Sequence, residues 1–173
     1  ILDLGVAGLL IPQINTADEA RKVVQLCYYP PAGERGVGLA RAHNYGFSFT
    51  EYLQGSNQDL TIIVQAEHID AVANIEDIVA VNGVDAVLVG PYDLSASMGI
   101  PGKIEDKEVQ VAIKTVLNAC VKENVPAGIF GVDLNAVEQY IDMGFSLIAV
   151  GIDVLFLGLG AQETYNSVKE KFK

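Results

Sequence analysis

Tryptophan is absent from this chain, and histidine and cysteine occur only twice each in 173 residues. Cys27 and Cys120 stand far apart with no CxxC spacing. That excludes a cysteine zinc site and a disulfide framework, and leaves buried free thiols in a reducing cytoplasm as the expectation. Basic residues are scarce too: 11 Lys and Arg face 22 Asp and Glu, for a net charge of −11. Phosphate-rich partners require clustered Lys and Arg, so neither nucleic acid nor an anionic membrane is an expected partner. No apolar run approaches the ~20 residues of a membrane span. No GxGxxG or GxxxxGK[ST] turn follows a strand-like run, which counts against nucleotide-binding open sheets. The opening "ILDLGVAGLL" has no Met and no basic signal-peptide region. It reads as a helix tail ending at Gly5 and running into a strand, so a further N-terminal portion is expected upstream of Ile1.

What is present is apolar and periodic. Half of the residues are hydrophobic and 17 are Gly, a composition suited to parallel strands buried on both faces. The length fits a single domain, residues 1–173, with a real core. Val6–Pro12 reads as a strand, and the helix in residues 15–29 has Asn15 or Thr16 as its cap, with Asp18 and Glu19 at its positive end. Residues 30–58, rich in Pro and Gly, read as one long loop, and loops of this length are usually functional or disordered. Leu60–Glu67 is the next strand, Asp70–Val81 a helix and Val84–Gly90 a strand. A loop around "GPYDLSASMGIPG" leads to the helix "KEVQVAIKTVLNACVKEN" and the strand "PAGIFG". Asn135–Met143 is a helix closed by Gly144, "SLIAVG" the last strand, and Gln162–Lys173 the last helix. Five β-α units in series, with no hairpin signal, imply a parallel sheet. An open doubly wound sheet and part of a (β/α)₈ TIM barrel both satisfy this, and five units are too few to close a barrel. Without a nucleotide motif the barrel is favoured, with these as its last five β-α units.

In such a barrel the active face is where the strands end. Gln65 and Glu67 are two residues apart, so they share one side of their strand. Asp93 follows the next strand, and adjacent strands would bring the two carboxylates together. Two convergent carboxylates with room for water suit a hard divalent cation. Spacing equally allows Glu67 to pair with an Arg and Asp93 to cap a helix starting at Leu94. It does not decide between them.

The wording of four stretches does more. "IPQINTADEARKVV", "YYPPAGERGVG", "VQAEHIDAVANIEDIVAVNGVDAVLVGPYDLSASMGIPG" and "IAVGIDVLFL" together resemble the HpcH/HpaI aldolase family, over nearly the whole chain. That family includes 2,4-dihydroxyhept-2-ene-1,7-dioate aldolase and the 2-keto-3-deoxy-sugar-acid aldolases. The resemblance implies a barrel of the phosphoenolpyruvate/pyruvate type and a metal-dependent carbon–carbon lyase. Its reaction would split a 4-hydroxy-2-keto acid into pyruvate and an aldehyde. It also implies Mg²⁺ or Mn²⁺ as cofactor, with Co²⁺ a further candidate, and a homo-oligomer, a trimer or a hexamer built from trimers. Carried over residue by residue, Glu67 and Asp93 would be the metal ligands. Gln65, Pro91, Tyr92 and Ser95 would face the keto acid, its carboxylate held by backbone amides around Tyr92. The Pro30–Gly38 loop would line the site or a subunit contact. "QAE" for the more usual Q-I-E, and Tyr92 where a small residue is common, are departures that bear on substrate choice.

The family's His base and its Arg have no counterpart here and are expected upstream of residue 1. His68 would point away from Glu67 and suit a helix start, while His43 reads as a solvated loop histidine. The alternative functions are a malyl-CoA or citramalyl-CoA lyase of the same superfamily, for which Arg35 and Arg41 are a thin phosphate cluster, and a catalytically incomplete barrel fragment that only binds metal or pyruvate. Val168 and Phe172 give the last helix an apolar face that could pack on a neighbouring subunit.

Overall fold

A computed structural model of the chain describes residues 1–172. Five parallel strands, β1 (Gly8–Ile11), β2 (Thr61–Ala66), β3 (Ala86–Val89), β4 (Ala127–Gly131) and β5 (Leu147–Val150), lie side by side in chain order. The sheet is a half-barrel, five strands alternating with helices, as the series of β-α units implied. Its register aligns Leu10 with Ile63, Gln65 with Leu88, and Leu88 with Gly128. Side chains alternate across a strand, so Leu10, Ile63, Gln65 and Leu88 share the concave face. Ile62, Val64, Ala66, Val87, Val89 and Ile129 point the other way, into one continuous core.

Helices cover that convex face. α1 (Ala17–Cys27) buries Ala20, Val24 and Cys27. Its start is fixed by a capping box: the Thr16 hydroxyl accepts the Glu19 amide, and the Glu19 carboxylate accepts the Thr16 amide at 3.0 Å. α6 (Lys107–Glu123) buries Val109, Ile113, Val116 and Cys120 along one stripe. Asn124 in the left-handed region ends it. α7 (Leu134–Met143) ends on Gly144 at φ 107°, as expected.

Four expectations need correction. Residues 30–58 are not one loop: they hold a 3₁₀ turn at Arg41–Gly46 and the helix α2 (Phe49–Asp59). Only Ser56 of α2 is buried, so it carries almost no apolar stripe for a sequence pattern to reveal. Asn57 anchors it by accepting the Tyr29 amide at 2.8 Å and donating to the Tyr29 carbonyl at 3.0 Å. The single helix expected over Asp70–Val81 is two, α3 (Ile69–Ala73) and α4 (Ile75–Val79). It breaks at Asn74, whose side-chain amide donates to the Asn15 carbonyl at 2.9 Å. The "GPYDLSA" loop is also helical, as α5 (Pro91–Ser97), with proline at its first position, where the missing N–H costs nothing. The last helix, α8, starts nine residues before Gln162 and spans Asp153–Glu170. Phe172 follows it in a turn, and Lys173 lies outside the described residues.

Candidate active site

Glu67 follows the last residue of β2 and is only 5% exposed. Among the described residues it makes no ion pair with an arginine. Its Oε1 accepts the main-chain N–H of Gln13 at 3.1 Å and the Gln13 side-chain amide at 3.1 Å. Its Oε2 accepts the Gln65 side-chain amide at 2.6 Å. Gln65 and Glu67, both on the odd side of β2, therefore meet as the alternation predicts. Burial pushes the Glu67 carboxyl above the usual glutamate value, the Gln13 amide pulls it back, and the charge of Asp93 pushes it up again.

The second carboxylate arrives on the neighbouring strand. Gly90 continues the β2–β3 pairing by donating to the Ala66 carbonyl at 3.3 Å, and α5 begins at once. A Cβ on Gly90 would stand 2.9 Å from both Glu67 Oε2 and Gln65 Nε2. Any side chain at Gly90 would therefore have to displace the Gln65 and Glu67 head groups. Asp93 is the third residue of α5, exposed, and makes no cap hydrogen bond. Capping, the bland alternative for it, does not occur. The amides of Tyr92 and Asp93 precede the first bond of the turn, Leu94 N–H to the Gly90 carbonyl at 2.9 Å, so the helix itself leaves them unpaired.

The remaining expected site residues are placed as follows. Pro91 is buried behind the turn and Tyr92 is exposed on it. Ser95 is fully buried, donating to the Tyr92 carbonyl at 2.7 Å and accepting the Gly102 amide at 2.9 Å. Its hydroxyl braces the loop. His68 caps α3 by accepting the Asp70 amide at 3.2 Å, the helix-start role expected of it. His43 is not solvated: it is 2% exposed, and Nδ1 accepts the Gly46 amide at 3.0 Å while Nε2 lies 2.7 Å from the Gly38 carbonyl. Arg35 is buried as well, paired with Asp3 at 2.8 Å and stacked 4.4 Å over the Tyr29 ring. A cleft lined by Gly5, Ala7, Arg35, Tyr52, Ser56 and Leu60 lies beside the starts of β1 and β2, at the other end of the strands from Glu67.

Sequence reasoning missed Gln13. It lies just past β1 with a left-handed backbone at φ 58°, and nothing in "IPQIN" marks it. Among the described residues no three His, Cys, Asp or Glu side chains gather into a metal-binding group. The donor set is two carboxylates, one buried and oriented and one exposed. That fits a hard cation completing its shell with water and ligand oxygens, and not a soft or fully caged metal.

A parallel half-barrel with its polar groups at the C-terminal ends of adjacent strands defines the class: a (β/α)₈-type protein with its site on the usual active face. Comparison with known proteins narrows this. The profile of the family HpcH/HpaI aldolase/citrate lyase matches residues 1–157, and the chain belongs to that family. It is 39% identical over 173 residues to a hydroxypyruvate/pyruvate aldolase of Cupriavidus necator, covering 99% of this chain and 64% of that protein. It is 40% identical over 164 residues to a 4-hydroxy-2-oxo-heptane-1,7-dioate aldolase of Shigella flexneri, covering 94% of this chain and 61% of that protein. A crystal structure of an HpcH/HpaI aldolase/citrate lyase family protein from Burkholderia cenocepacia J2315 superimposes with a TM-score of 0.94 at 38% identity. That match covers 97% of this chain and 67% of the other. The chain thus spans less than two thirds of the length of these curated relatives.

Proposed function

We propose that this protein is a divalent-metal-dependent aldolase, cleaving a 4-hydroxy-2-keto acid into pyruvate and an aldehyde. The observation that carries the reading is the Glu67 carboxylate, buried at a strand end, held by Gln13 and Gln65, and facing the Gly90–Asp93 turn of the next strand. The names of the relatives support the aldolase class and a small keto-acid substrate.

Glu67 and Asp93 would hold the cation, which supplies Lewis acidity to polarise the keto acid's carbonyl. Gln65 is positioned by its bond to Glu67, and its remaining amide capacity would orient the keto acid. The Tyr92 and Asp93 amides would receive the carboxylate, with Pro91 and Ser95 keeping that turn rigid from behind. Tyr92 stands at the edge of the turn and would limit the bulk of what enters. Removal of the aldol hydroxyl proton needs a base. Both histidines already serve the fold, so in this reading the base comes from outside these residues. Arg35, committed to Asp3 and two tyrosines, gives no support to a coenzyme A phosphate site.

We also read the protein as a homo-oligomer, supported by the exposed apolar side chains of α8. The reaction is tested by pyruvate release from 4-hydroxy-2-keto acids, followed with a coupled dehydrogenase. Activity should require Mg²⁺ or Mn²⁺ and vanish in Glu67→Ala. Undiminished turnover after verified removal of metal would overturn the reading.

A further inference from the structure

We propose that Gln13 is a positioning residue that selects which oxygen of Glu67 is left free for a cation, an inference that rests on the metal reading above. An ionised carboxylate has about four acceptor sites on its two oxygens. Here Oε1 receives both donors of Gln13, main chain and side chain, each at 3.1 Å. Oε2 receives one donor, from Gln65 at 2.6 Å. One acceptor site therefore remains, on Oε2, and Oε2 is the oxygen that lies against Gly90 and the turn carrying Asp93. Gln13 saturates the far oxygen and turns the near one toward the second carboxylate.

Packing does not account for Gln13. Its side chain is exposed, so burial is not what holds it. Its backbone adopts φ 58°, a region that disfavours glutamine and favours Gly or Asn. The chain returns to regular pairing one residue later, where Ile14 donates to the Gln65 carbonyl at 3.4 Å. The local distortion is thus confined to the one residue whose amide groups both reach Glu67. Groups that orient a metal-binding side chain in this way typically contribute about 10- to 100-fold to metal affinity.

The test is a Mn²⁺ titration of the metal-free protein, followed by the loss of the free-ion electron paramagnetic resonance signal, with Glu67→Gln as the blank. Gln13→Met keeps the length of the side chain and removes its donor. Gln13→Gly removes the side chain and relaxes the backbone. Both should weaken Mn²⁺ binding by about tenfold or more, with the thermal midpoint of the metal-free protein unchanged in Gln13→Met. Wild-type affinity in either variant would overturn the proposal, as would a weakening matched by loss of the metal-free fold. If the unaltered protein binds no Mn²⁺, the metal reading itself falls, and this inference with it.

Discussion

At the scale of single residues, the site places a carboxylate where an ordinary fold would put a neutral group. Burial is the largest influence on Glu67 and lifts its folded-state pKa above the unfolded value. A carboxyl shifted that way contributes stability that is fully present below the unfolded pKa, about 4.3. That contribution is lost as pH rises through the folded pKa. Glu67→Gln keeps the shape and removes the charge, so the metal-free variant should withstand more urea than the parent at pH 8. The margin should close near pH 4, while pyruvate release is lost throughout. Urea titrations at the two pH values check the sign, and a variant weaker at pH 8 would contradict it. Gly90→Ala tests the neighbouring constraint. Its new Cβ would sit 2.9 Å from Glu67 Oε2 and 3.0 Å from Glu67 Cβ, so the carboxylate must move. Mn²⁺ affinity should fall even where the circular dichroism spectrum is preserved.

At the scale of elements, the strands and the apolar helices could be read from the sequence because burial writes a period into them. β2 is buried at Ile62, Val64 and Ala66 and open at Thr61, and that alternation alone put Gln65 and Glu67 on one side. The cap of α1 was legible to within Asn15 or Thr16, residue types with a fixed hydrogen-bonding job, and Thr16 is the one that caps. Thr16→Ala should cost about 1 kcal/mol of stability, measurable by chemical denaturation, and should leave Mn²⁺ binding intact. What stayed hidden has little burial behind it. α2 buries one serine, the α3–α4 break depends on Asn74 reaching Asn15 across 59 positions, and Gln13 acts through its backbone conformation. His43 was misread because its burial comes from α2, with Phe49 and Tyr52 against its ring. For the proposed metal pair, spacing alone brought the two carboxylates near one another, and only the family motifs favoured a ligand role over capping.

At the scale of the whole molecule, α8 stands apart from the other helices. Among the described residues every other α-helix buries at least one side chain, whereas α8 buries none of its 18. Yet it carries Val154, Phe156, Leu157 and Leu159 in its first two turns, with Leu157 75% exposed. Scattered apolar residues on a surface need no explanation, but a cluster on one element is a surface that the homo-oligomer proposed above would cover. Full burial of a leucine side chain stabilises by about 1.5–3 kcal/mol, so a few such contacts per protomer separate an assembled from a dissociated state. Leu157→Lys should therefore lower the mass measured by light scattering after size exclusion. Because the residue is 75% exposed, the helical circular dichroism signal should hardly change. A wild-type protein that runs as a monomer at micromolar concentration would remove the basis for this prediction. An unchanged mass in Leu157→Lys would place the subunit contact elsewhere than on the exposed start of α8.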